Sequence, residues 1–531
     1  MVIDWVMIVI FATYFLTHYH MKTISISRLL LAALLVASFS WAQGEPPVRK
    51  VRVGERVQAD DGSITLTCIG KKQNYSWSDT ATRDVDVMSP KSVNFHPDGT
   101  KYYVNSLEGC RTVVYDMATG RKLKVIHHDF KSGQGELWNA PSNYYRFTHY
   151  VGGEKRAFLG KPVESTFSHG GRYLWVPYYR RTFDINAQDP SAVAIIDTQS
   201  DSIVRMMETG PLPKMIACSH DNKLVAITHW GNNTVGLVDI SSPDIKQWHH
   251  LAPVVVEHEL TLNFSLTHPV NRDANSGLLL RGTVFTPDDR YLLVGCMGGG
   301  GIAVIDVPSR TYLGILTGIS NARHLIINHG YLYASVNAAG LVQRIPLDAV
   351  ISAIEHRSGT RMPLTGWQTC HVGGGARTIE ASPSGRYVFA ACNSASALYV
   401  VDTRTMRTVT QITVDSYPVG LHIADDGRFL VVTSQARSGL GGNAVNLYRV
   451  DYRDSIAERA AADSLALKRQ DNKDSQATNA TAAPAQQQNG DNGGWQLPSW
   501  ANENNLLWLI LIAAAIILTV TLLRLRHNRT E

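Results

Sequence analysis

Five basic residues, Lys91, Lys214, Arg281, Arg323 and Arg377, recur at one place in a repeated pattern, seven or eight positions before a turn marked by Gly99, Asn222, Asp289, Gly330 and Gly385. Ammonium and guanidinium groups gathered round one axis attract anions, so the chemistry on offer is the holding of a carboxylate, a phosphate or an acidic loop. The same residues can instead hydrogen-bond loop carbonyls between neighbouring repeats, and spacing alone leaves both roles open. Other residue sets offer less. His169, His220, His324 and His422 lie tens of residues apart, without HExxH or another helical ligand spacing, and no metal site is expected. Gly298–Gly301 lacks the Lys and Ser/Thr of a phosphate loop and reads as a tight turn between strands. Cys68, Cys110, Cys218, Cys296, Cys370 and Cys392 show no CxxC spacing, which excludes a zinc ribbon and a c-type haem site. Cys296 and Cys392 end the apolar runs YLLVGC and YVFAAC and read as small buried hydrophobes. With no Gly-x-Ser-x-Gly elbow and no Cys/His nucleophile arrangement, no catalytic residue and no cofactor is assigned.

The elements that must position the basic residues are short strands. Seven segments share an apolar strand, a turn near Pro-Asp-Gly, a second apolar strand, a loop, and a third strand ending in Asp and a further turn. From Gly99 to Asp116, Asn222 to Asp239, Asp289 to Asp306 and Gly385 to Asp402 the separation is 17, and from Gly330 to Asp348 it is 18. Gly171 to Asp197 and Gly427 to Asp451 are longer by an insertion after the second strand. A fourth strand follows the Asp turn, as in Arg121–His127 or Thr408–Val414. The seventh unit has no such strand of its own, and Val48–Val57 or Ser63–Cys68 is expected to supply it and close a ring.

The motifs FHPDGTKYYVN (to Asn105), LYASVN (to Asn337), SPSGRYVFAACN (to Asn393) and VVDTRTMRTV resemble the YVTN-repeat β-propellers of bacterial envelopes, over roughly residues 90–451. The second and fifth units depart from the pattern, with His-Gly-Gly and Asn-His-Gly at the turn. The resemblance implies an all-β, seven-bladed propeller of four-stranded antiparallel blades. It leaves function open, because such propellers serve as binding platforms, lactonase-like enzymes or cofactor-bearing dehydrogenase subunits.

The ends read differently. Residues 1–42 are expected as a signal peptide: Lys22 and Arg28 precede the apolar run Leu29–Phe39 and the small-x-small site Ser40-Trp41-Ala42, with Met21 as the natural start. The stretch Trp5–Leu16 is an over-extended start or, alternatively, a second anchor. Residues 43–452 form the propeller, 453–469 a short helix, and 470–504 a flexible linker rich in Gln, Asn and Gly. A transmembrane helix is expected over 505–523, flanked by Trp495, Trp500 and Trp508 outside and by Arg524, Arg526 and Arg529 in a cytoplasmic tail, 524–531.

Long insertions at 128–162, 252–276 and 350–375 (fourth strand to next blade) and at 178–191 and 434–444 (second to third strand) are expected on one face of the ring, above the basic residues. The chain is therefore read as a membrane-anchored, exported binding platform for an envelope protein, a glycan or a small anionic ligand, held in the inner membrane by its C-terminal helix. The alternative is a lactonase-like or quinoprotein-like enzyme. A net charge of +5 without a basic run gives no nucleic-acid footprint.

Overall fold

The computed structural model describes residues 51–480, apart from 132–133, 139–141, 148–154, 183, 185, 262–269, 273, 276 and 436–441, and only the backbone of 468–480. The chain divides into two units, Met1–Ala477 and Thr478–Glu531. The first is a seven-bladed β-propeller. Blade 1 shows the plan: strand A is Pro90–Phe95, B Lys101–Ser106, C Arg111–Asp116 and D Lys122–His127, each antiparallel to the one before. Strand A starts at Thr166 in blade 2, Pro213 in blade 3, Leu280 in blade 4, Ala322 in blade 5, Ala376 in blade 6 and Pro418 in blade 7.

The middle strands are apolar on both faces because each blade is covered on both sides by its neighbours. Strand B of blade 6, Tyr387–Cys392, is buried at every position, whereas its strand D, Arg407–Thr413, is largely exposed. The core is consequently a ring of interblade layers. Between blades 6 and 7, Phe389, Leu398 and Val400 pack on Leu421, Leu430 and Tyr448; between blades 4 and 5, Leu293 and Val304 meet Leu325 and Leu332. The turn residues recognised by their spacing all have left-handed backbones, including Gly99 (φ 73°), Asn222 (54°), Asp289 (55°) and Gly385 (69°), which is why Gly, Asn and Asp mark that place.

Blade 7 is completed from the other end of the chain. Its own strands Pro418–Ile423, Phe429–Ser434 and Ala444–Tyr452 are followed in the sheet by Ile64–Gln73, in register from Ile64 opposite Tyr452 to Gln73 opposite Ala444. The expected Ser63–Cys68 segment thus supplies the missing strand, and Arg56–Gln58 adds a fifth outside it. The latch carries a buried ion pair, Lys71 to Asp415 at 3.0 Å, joined by Tyr75 and Asn446.

Two expectations need correction. Residues 350–375 do not connect blade 5 to blade 6. They join strand C of blade 5, Leu341–Pro346, to its strand D, Gln368–His371, through a helix, Leu347–Glu355, and a short strand, Arg361–Pro363, that pairs in parallel with the outer strand of blade 4. The helix buries Val350 and Ile354 in the apolar layer shared by blades 4 and 5, and, as a connection from strand C to strand D, the insertion leaves the ring on the face opposite the B-to-C and D-to-A connections. The helix after blade 7 runs from Ser455 to Ala480 and so passes beyond 469 into the expected linker. Its Ala, Arg, Lys and Gln content favours helix even where composition is polar. All six cysteines are free, with Cys296 and Cys392 in interblade cores. Among the described residues no helix is long and apolar enough to cross a membrane. The expected signal (1–42), transmembrane helix (505–523) and tail (524–531) lie outside the described residues.

Candidate anion-binding site at the channel mouth

Lys91, Lys214, Arg281, Arg323 and Arg377 are each the second residue of an innermost strand, in blades 1, 3, 4, 5 and 6. Each sits where the pairing of strands A and B slips its register, for example between Pro90 and Ser92 and between Pro213 and Met215. Such a bulge re-aims the side chain of the extra residue. The residue before each strand is left-handed: Ser89 (φ 50°), Leu212 (53°), Leu279 (56°), Asn321 (52°) and Gly375 (78°). For the non-glycine residues this backbone costs about 1–2 kcal/mol each. Blade 7 repeats the device at Tyr417 (φ 60°) but carries Val419 in place of a cation. Blade 2 has Val163, followed by Glu164.

The five basic side chains line a single cavity of about 360 Å³ at the mouth of the central channel, on the face of the B-to-C and D-to-A loops. All five residues are at least nine-tenths buried. Lys91 Nζ donates to Glu164 at 2.7 Å. Lys214 Nζ lies 3.9 Å from the ring centre of Tyr179 and 4.8 Å from that of Trp230, and Arg281 of blade 4 lies 5.1 Å from the same Trp230 of blade 3. Arg323 contacts the sulfur of Met297 at 3.3 Å, and Arg377 lies over Tyr417 at 5.8 Å. Arg180 also lines the cavity, and Glu108 is the acidic residue in its wall. Burial pushes the Lys91 ammonium well down; Glu164 opposes that, and Arg377, Arg281 and Arg323 add to it by repulsion. Arg323 is driven well below its usual value by burial and then by Arg281 and Arg377. The cations therefore feel one another, and a negative charge among them relieves both effects.

The residue just after strand B adds an upper rung that the reading of the sequence missed: Leu107, Trp230, Asn337, Asn393 and Gln435, with Tyr179 in blade 2. The signal was present, because each occupies the same place in its repeat. The histidines do not converge. His169 stacks on Trp248, His220 pairs with Asp289 of the next blade, and His324 and His422 each accept a backbone N–H from a neighbouring strand A. Among the described residues no group of three or more His, Cys, Asp or Glu is gathered as a metal site would require. Gly298–Gly301 is the tight B-to-C turn of blade 4: a Cβ on Gly298 would lie 2.5 Å from the carbonyl oxygen of Gly277, and one on Gly301 2.5 Å from that of Leu316.

No protein-family model and no curated protein matches the chain. Among solved structures it is similar to hydrazine synthase of Kuenenia stuttgartiensis, at 13% identity over 68% of this chain and 95% of that chain, with a TM-score of 0.47. It is also similar to the β-propeller domain of Cps50 (Swd1) of Myceliophteria thermophila, at 15% identity over 68% of this chain and 97% of that chain, with a TM-score of 0.44.

Proposed function

We propose that this propeller is a membrane-tethered, extracytoplasmic binding platform of the YVTN-repeat kind, which takes the anionic group of a protein, glycan or small molecule into its channel mouth. The observation that carries the reading is the meeting of five buried basic side chains from five blades in one cavity. Nothing in the fold of a propeller demands cations there, since blades 2 and 7 manage with Val163 and Val419. The B-to-C and D-to-A connections leave the blades on that same face and offer surface to a larger partner. Each charge-assisted contact contributes about 1–3 kcal/mol. Calorimetric titration of the purified chain with citrate should give saturable binding, weakened at least tenfold in the R281A/R323A variant; equal binding by parent and variant overturns the reading. The anchoring is tested separately. Protease added to spheroplasts should digest residues 43–500, and protection of that region sinks the topology.

A further inference from the structure

The wall above the cations is not uniform, and its asymmetry speaks to the ligand's body as the cations speak to its charge. On the arc of blades 1 to 3 it presents Leu107, Tyr179 and Trp230, an apolar and aromatic surface flanked by Glu108 and Arg180. On the arc of blades 5 to 7 it presents three amides, Asn337, Asn393 and Gln435. Their hydrogen bonds are partly spent. Asn337 donates its amide nitrogen to the carbonyl of Ala376 at 3.0 Å, and Gln435 donates to Ser89 at 3.0 Å. Asn393 accepts from Ser394 at 3.2 Å through its amide oxygen. Among the described residues these bonds leave over the amide oxygens of Asn337 and Gln435, one N–H of Asn337 and both N–H groups of Asn393, so that acceptors and donors lie side by side.

The amide oxygens find no partner in a carboxylate group, whose oxygens only accept, so the floor alone can hold the charge but leaves this arc unused. Hydroxyl groups suit them, because each donates and accepts. The apolar arc would add nothing to a phosphate but suits a C–H face. A cavity of about 360 Å³ admits a small molecule or the end of a chain rather than a folded element. We infer that the channel mouth takes an acidic sugar of the uronic acid class, free or at the end of a glycan, with its carboxylate on the arginine and lysine floor, its C–H surface against Tyr179 and Trp230, and its hydroxyls on Asn337, Asn393 and Gln435. This rests on the anion-binding reading of the same cavity.

The test is calorimetric titration of the full-length chain in detergent with galacturonic acid, galactose, citrate and a tetraglutamate peptide. Galacturonic acid should bind at least tenfold more tightly than any of the other three. In the N337A/Q435A variant, checked for an unchanged Tm, its affinity should fall at least fivefold; N393A provides a second variant with the same expected direction. If citrate or the peptide binds as tightly as galacturonic acid, the sugar assignment is overturned while the anion site stands. Galactose binding as well as galacturonic acid would overturn the role of the cations. If none of the acids binds, both readings fall.

Discussion

Acid should unfold this propeller through a small set of buried histidines. His128 and His229 are wholly buried, and both ring nitrogens of each are engaged by neutral groups. His128 lies between Thr112 Oγ1 at 2.8 Å and the Tyr178 hydroxyl at 2.9 Å. His229 lies between Thr209 Oγ1 and Thr234 Oγ1, each at 2.8 Å, and its Nε2 accepts from the Gly210 N–H at 3.1 Å. Burial lowers both to about 3, and His250 and His324 to about 4. The unfolded chain takes up protons at these rings near pH 6.5 while the folded chain does not, so their contribution is complete above pH 6.5 and is lost as the pH falls below it. Lowering the pH from 6.5 to 5 then costs about 1.6 kcal/mol for each ring, or on the order of 6 kcal/mol for four. That rivals the whole stability of an ordinary domain, about 5–15 kcal/mol. Urea denaturation at pH 7, 6 and 5 should show stability falling with a slope approaching four protons. The H128N/H229N variant, less stable at pH 7, should show a slope smaller by about two. A parent curve that is flat between pH 7 and 5, or a slope unmoved in the variant, refutes the reasoning.

Other outcomes follow from the same structure. Removing one member of the closing ion pair, as in D415A, strands the Lys71 ammonium and should cost about 3–5 kcal/mol in urea denaturation, whereas K71M/D415L should recover most of that loss. Glu458, at the first turn of the C-terminal helix, accepts from Ser382 Oγ at 3.1 Å, from the Ser384 N–H at 3.0 Å and from the Ser384 hydroxyl; E458A should cost about 1–3 kcal/mol locally and speed amide exchange over 455–467 without changing the blades. Burial lifts the Glu380 carboxyl on the innermost strand of blade 6 to about 8, so the fold favours its protonated form and loses stability as the pH rises from about 4.5 through 8. The E380Q variant should remove that decline, read as a higher Tm than the parent at pH 9 and a difference that vanishes toward pH 5.

The blades were legible because the turn residue and the Asp that ends strand C have local causes: a left-handed backbone at Gly99 or Asn222, and capping of the next turn by Asp116 or Asp402. The closing strand was legible from a deficit, since a blade lacking its outer strand leaves an edge that the chain must cover. The insertion in blade 5 misled because the short strand Gln368–His371 follows a helix instead of the Asp turn, and counting from that turn cannot find it. The five cations were legible as a set because equivalent places in a ring become neighbours. Their aromatic and amide company was not read, although Trp230, Asn337 and Gln435 share a repeat position, because three different residue types there hide the equivalence. The bulge that aims each cation leaves no fixed residue in the sequence: Ser, Leu, Asn and Gly all serve before it.

Closing the ring with Ile64–Gln73 also sets a clock on folding. The strand is among the first parts of the propeller to leave the ribosome, and its partner, Ala444–Tyr452, is the last. At about 5–20 residues per second, a gap of nearly four hundred residues is a wait of roughly 20–80 s. During that interval Ile64, Leu66 and Cys68, all fully buried in the finished molecule, have no layer to enter, and an apolar strand with open edges is at risk of pairing with the wrong neighbour. Six blades can assemble as they appear, but none of them can finish the molecule. The time of greatest vulnerability is thus fixed by the length of the chain between two strands, whatever the stability of the ring once it is shut.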